Sequence, residues 1–117
     1  MPNPLCHFEF MTGDVQKCRD FYGKVFDWTF DDQAMPGYTL VHTGADPGGG
    51  MMSRPAVAPM ACLTVYFSVA DMDKTLRKVT EGGGRILVQP TDIPHVGTYA
   101  IIADPENVVV GLLKPAG

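Results

Sequence analysis

His7 and Glu9 stand two residues apart in the run His7-Phe8-Glu9-Phe10. In a strand that spacing puts both on one face. An imidazole beside a carboxylate can serve as a general base toward an acidic C–H or hydroxyl, so His7 and Glu9 are the candidate catalytic residues. A carboxylate between two phenylalanines is costly to bury alone, so Glu9 is expected to pair with His7, with Tyr66 or with a ligand, or to carry a raised pKa. A hydrogen-bonded structural pair at a sheet centre would give the same spacing. His42 joins the pair if the third strand turns it inward.

Other chemistries find little support in the chain. Gly48-Gly49-Gly50 and Gly82-Gly83-Gly84 lack both the Gly-x-Gly-x-x-Gly spacing and the Lys-Ser/Thr of phosphate loops, and no nucleophile elbow occurs. Three cysteines, Cys6, Cys18 and Cys62, are an odd number without CxxC spacing, which suits reduced thiols. A formal charge of −4 argues against nucleic acid, whose phosphates demand Lys and Arg. No run approaches the ~20 apolar residues of a membrane span, so no membrane partner is expected. The N-terminus, Met1-Pro2-Asn3-Pro4-Leu5-Cys6, lacks the basic and apolar regions of a secretory signal, and the expected location is cytoplasmic.

The elements that position His7 and Glu9 read as a repeat. With 117 residues, 45% of them hydrophobic, the chain is expected to form one globular domain over 1–117. Leu5 to Met11 alternates as a half-buried strand, with Phe8 and Phe10 on one face. Asp14 is a plausible N-cap for a helix carrying Val15, Cys18, Tyr22, Val25 and Phe26 inward. A strand then starts at Asp27-Trp28-Thr29-Phe30, Asp31 to Gly37 reads as a polar turn, Tyr38 to Thr43 is a third strand and Met51-Met52 a short fourth. The pattern restarts at Leu63: a strand to Val69, a helix from Asp71 to Glu81 with Met72, Leu76 and Val79 inward, then strands over 85–89, 98–103 and 108–113. The fold class is therefore α+β, with two tandem βαβββ units forming a cupped mixed sheet. Unit one spans about 5–53, a linker about 54–60, and unit two about 61–115. A ferredoxin-like βαββαβ domain fits poorly, because three strands follow each helix.

Several phrases carry a family resemblance: His7-Phe8-Glu9-Phe10 with Asp14-Val15-Gln16-Lys17, Phe21-Tyr22-Gly23-Lys24-Val25-Phe26-Asp27-Trp28, Gly48-Gly49-Gly50-Met51-Met52, Val69-Ala70-Asp71-Met72-Asp73, and Asp104-Pro105-Glu106-Asn107. On these the chain resembles the vicinal oxygen chelate (VOC) superfamily, the group of glyoxalase I, bleomycin resistance proteins and extradiol dioxygenases. The resemblance implies that fold, and in metal-dependent members a divalent ion held by side chains from the first and last strands of both units. Four positions follow. His7 matches the first, the Gly49 to Met52 strand offers no ligand, Thr64 stands at the third, and Gly111 replaces the usual Glu. His7 is the single family-position ligand retained. About three protein ligands are needed for a catalytic divalent site, so the expectation is no metal and no other cofactor. A zinc, nickel, iron or manganese ion on a rebuilt His7/Glu9 site is the alternative.

Strand alternation sets Thr64, Tyr66 and Ser68 on the same side of their strand as the counterparts of His7 and Glu9. With Met51, Met52 and Trp28 as walls they make up the expected ligand-binding set, although a Trp in such a chain is as readily core. The expected function is metal-free binding of a small organic molecule by a glyoxalase/bleomycin-resistance-like protein. The alternative is a metal-dependent or His/Glu-based lyase, isomerase or dioxygenase acting on a small oxygenated substrate. The resemblance also implies a homodimer.

Overall fold

The computed structural model describes residues 2–54 and 62–116. Ten elements follow in order: β1 (Leu5–Thr12), α1 (Val15–Phe26), β2 (Thr29–Met35), β3 (Tyr38–His42), β4 (Gly49–Ser53), β5 (Cys62–Ser68), α2 (Met72–Glu81), β6 (Arg85–Ile93), β7 (Gly97–Ala103) and β8 (Val109–Pro115). This is an α+β chain in which βαβββ occurs twice. By contact it divides into two compact units, His7–Thr64 and Met1–Cys6 with Val65–Gly117. The linker expected over 54–60 lies, apart from Arg54, outside the described residues.

In the His7–Thr64 unit the strands run in the order β2-β3-β4-β1. β1 and β4 are parallel, with Phe8 beside Gly49, Glu9 beside Gly50 and Met11 beside Met52. β3 is antiparallel to β4 and sets Leu40 beside Gly50 and Tyr38 beside Met52. Asp14 starts α1 in extended conformation, its carboxylate accepting from the Lys17 amide at 3.0 Å. Such a cap satisfies one of the amides that a helix start leaves without a partner. Met51 and Val41 are the largest fully buried side chains and lie on the sheet face that also carries Phe8 and Phe10.

Two expectations for this unit are corrected. Asp31 to Met35 is strand rather than turn, and the reversal is confined to Pro36-Gly37, where Gly37 has φ +73°. Polar Asp31-Asp32-Gln33 can sit in β2 because the strand is held through β3 and leaves most of its side chains in solvent. In α1 no residue is buried, and Val25 and Phe26, expected inward, are 52% and 55% exposed. Tyr22, also expected inward, does make that contact, 5.1 Å from the Phe10 ring.

In the other unit the order is β5-β8-β7-β6. β5 and β8 are parallel with Tyr66 beside Gly111. Asp71 caps α2 as Asp14 caps α1, accepting from the Lys74 amide at 3.0 Å. Val69, Met72, Leu76, Ala100, Ile102 and Leu112 form its core, with Phe67, Val79, Ile86 and Val110 packed on it. Burying such aliphatic side chains stabilises a fold by about 1.5–3 kcal/mol each. β6 continues past Gln89 to Ile93, with register shifts between Ile86 and Thr91. A bulge lets the strand run on through Pro90, which has no amide to pair.

Candidate functional site

The parallel register of β1 and β4 builds the site. On β1, His7, Glu9 and Met11 share one face and Phe8 and Phe10 the other, by strand alternation. The second face is aromatic and helix-covered: Phe10 lies 5.1 Å from Tyr22 and 6.2 Å from Trp28, and Phe8 lies 6.2 Å from Trp28. The first face is polar. There the Tyr38 hydroxyl donates to Glu9 Oε1 at 2.8 Å and lies 2.7 Å from His7 Nε2.

Since the phenol proton goes to Glu9, the His7 contact has the imidazole Nε2–H donating to the phenol oxygen. A directed chain results, from imidazole through phenol to carboxylate. Burial pushes the His7 pKa below its ordinary 6.5, partly offset by the negative charge of Glu9. His7 is thus predominantly neutral at neutral pH, as a donor to Tyr38 requires only one ring proton.

Tyr38 reaches this position because β4 carries glycine beneath it. Built on Gly50, a Cβ would overlap the Tyr38 ring and hydroxyl. The same arrangement recurs in the other unit, where a Cβ on Gly111 would overlap the Tyr66 ring. The registers make the two glycines equivalent, since Gly50 pairs with Glu9, Gly111 pairs with Tyr66, and Glu9 and Tyr66 are corresponding positions of the repeat.

The expected site residues separate by face. His7 and Glu9 come together through Tyr38, and Met52, partly buried, shares their face beside Met11. Met51 does not: it is fully buried on the opposite face, because adjacent strand residues point to opposite sides, and its place in a ligand wall is corrected to core. Trp28, partly buried, joins the aromatic cluster on the helix side rather than the His7/Glu9 face. It stacks 5.3 Å from Tyr22 and 5.2 Å from Phe26, on the helix side. Thr64 and Tyr66 are each 7% exposed. Ser68 is partly buried, its amide donating to the Pro4 carbonyl at 2.8 Å and its carbonyl accepting from Asn3 at 2.9 Å. His42 is exposed and lines an open groove with Thr43, Ala45 and Asp46.

Sequence reasoning missed Tyr38. The signal available was the glycine run of β4, since glycine inside a strand often marks the close approach of another group.

The divalent metal that the resemblance implies would need about three protein ligands. Among the described residues no three His, Cys, Asp or Glu side chains are grouped to hold an ion. Moreover Gly50 and Gly111 cannot be read as ligands with a side chain trimmed away, because tyrosine rings already fill the space a Cβ would need.

Comparison with known proteins agrees with the architecture. The described relatives include CFP32 of Mycobacterium bovis, a candidate glyoxylase by name, which is 32% identical over 111 residues covering 92% of this chain and 42% of that protein. DnrV of Streptomyces peucetius, named an anthracycline biosynthesis protein, is 28% identical over 97% of this chain and 47% of its own length. The chain thus spans less than half the length of either curated relative. Among solved structures, methylmalonyl-CoA epimerase from Mycobacterium tuberculosis superposes with a TM-score of 0.74 at 15% identity, covering 97% of this chain and 88% of that one. A variant of homoprotocatechuate 2,3-dioxygenase from B. fuscum gives 0.70 at 17% identity, over 99% of this chain and 34% of that one. At such identities the likeness concerns the fold alone. The sequence profile of the Glyoxalase/Bleomycin resistance protein/Dioxygenase superfamily matches residues 5–112, and the chain belongs to that superfamily.

Proposed function

We propose that this protein binds a small organic molecule at the His7–Tyr38–Glu9 face without a metal or other cofactor. The observation that carries the reading is the hydrogen-bonded chain itself, with the phenol 2.7 Å from His7 and 2.8 Å from Glu9. Three polar groups converging beside Met11, Met52 and Leu40 combine orienting groups with apolar wall, the usual make-up of a small-molecule site. In this reading 1–117 acts as one domain, and the protein works in the cytoplasm as a homodimer. Exposed Phe21, Val25 and Phe26 on α1 offer apolar surface for a second copy.

A second reading is favoured by the direction of the same chain. A proton taken from a ligand onto His7 Nδ1 leaves an imidazolium. Transfer of its Nε2 proton to Tyr38, with the Tyr38 proton passing to Glu9, ends with a neutral imidazole and a neutral carboxyl group. That is general-base chemistry suited to a lyase or isomerase.

A panel of small 2-oxo acids, catechols and the hemithioacetal of methylglyoxal with glutathione, screened by thermal shift in excess EDTA, tests the binding reading. Stabilisation that persists in EDTA and disappears in Tyr38→Phe is the expected result. Stabilisation abolished by EDTA and restored by zinc would contradict it. Turnover of any of these compounds that is lost in Glu9→Gln would select the second reading.

A further inference from the structure

We propose that Tyr38 is the ligand-contacting residue of this site and that position 50 is glycine in order to admit it, so that a phenol, in place of a divalent cation, meets the hydroxyl or carbonyl oxygen of a small organic ligand. The ligand part of this inference rests on the binding reading above. Its structural part does not.

Three observations converge. First, Tyr38 starts from β3 beside Met52, yet its hydroxyl reaches His7 and Glu9 on β1. It must therefore cross β4, and it crosses over Gly50, where any Cβ would collide with it. Second, Gly50 is buried and carries no positive φ. Its backbone conformation is open to any residue, so the requirement for glycine comes from the ring and not from the turn of the chain. Third, the second repeat solves the equivalent position in the same way from a different strand: Tyr66, on β5 itself, lies over Gly111. Two rings of different origin over two equivalent glycines indicate that the vacancy at each glycine is used by an aromatic ring. A phenol can donate and accept at once. It can therefore hold His7 and Glu9 in register and present an oxygen to a ligand that carries a polar hydrogen or, after rotation of its hydroxyl, a carbonyl.

The consequence is a dependence of position 50 on position 38, which a double-mutant cycle reads directly. Gly50→Ala in the wild-type background is expected to lower the folding equilibrium constant by roughly ten- to a hundredfold, the usual range for forcing atoms into filled space. In a Tyr38→Phe background, where the ring is kept, the penalty should persist. In a Tyr38→Ala background, where the ring is gone, Gly50→Ala should be nearly neutral. Gly13→Ala serves as a control, since nothing lies within 4 Å of a Cβ there. The His7 ring resonances, followed by NMR, should move in Gly50→Ala in the same sense as in Tyr38→Phe.

A Gly50→Ala penalty that is equal in the Tyr38→Ala and wild-type backgrounds would overturn the inference, as would His7 resonances unchanged by Gly50→Ala. Should Tyr38→Ala not fold, the comparison of wild-type, Gly50→Ala and Tyr38→Phe by His7 resonances decides alone. For the ligand, catechol is the probe: binding that Tyr38→Phe leaves unchanged would overturn the contact role. If neither catechol nor any panel compound binds the wild-type protein, the binding reading fails and the ligand-contact role fails with it, while a coupled cycle would still establish the Gly50–Tyr38 dependence.

Discussion

Tyr38 donates its phenolic proton to Glu9 Oε1 at 2.8 Å across an intervening strand that carries only glycine beneath the ring. This contact turns a His/Glu pair on one strand into a three-group chain and gives the polar face of the His7–Thr64 unit its geometry.

Tyr38→Phe removes the hydroxyl and keeps the ring. A hydrogen bond to a charged, partly buried acceptor is worth about 1.5 kcal/mol, so a stability loss of about that size is expected in urea unfolding, with an unchanged slope. A loss close to zero would mean that water replaces the phenol at no cost.

The pH dependence follows from His7. Burial lowers its pKa in the folded protein below the ordinary 6.5, so below that value the unfolded chain binds more protons than the folded one. Stability is therefore complete above about pH 6.5 and falls as the pH drops toward the lowered value. In melting-temperature measurements from pH 8 to pH 5, His7→Gln should flatten the decline in this window. A decline of the same steepness in His7→Gln would assign it to other groups.

The two helix caps are expected to behave alike. Asp14 and Asp71 each accept from the backbone amide three residues on at 3.0 Å, and Asp→Ala at either position should cost about 1 kcal/mol in chemical unfolding. The Asp14 cap was legible in the sequence because capping depends only on residue type and on the start of an apolar period, whereas Asp71, read there as the first helical residue, is the cap that precedes α2.

The paired βαβββ pattern, the two helices and the inward Met72 and Leu76 of α2 were legible for the same local reason. The polar part of β2 was not, since its ends are held by β3 through Asp31 beside Leu40 and Met35 beside Tyr38 rather than by the preference of its polar residues. Met51 and Met52 are neighbours in sequence and lie on opposite faces, and Trp28 joined the aromatic cluster around Tyr22. Both assignments needed the register of β4 and the path of the chain after α1. Tyr38 lay furthest from reach, because its partners sit two strands away and are set by the parallel pairing of β1 with β4.

The cysteines give a chemical check on exposure. Cys62 is exposed, whereas Cys6 is partly buried, with burial pushing its thiol pKa up, and Cys18 donates to Thr12 Oγ1 at 3.2 Å. The thiolate is the reactive form, so a limiting amount of iodoacetamide should label Cys62 first, as read by peptide mass spectrometry. Preferential labelling of Cys6 would place the N-terminal part of β1 differently.

Calorimetric titration of tag-free protein with zinc, nickel, iron(II) and manganese separates a metal-free His7–Tyr38–Glu9 face from a metal site. No stoichiometric binding of any of the four is expected, with the same traces for wild-type and His7→Ala. One equivalent of metal bound per chain and lost in His7→Ala would contradict the metal-free reading.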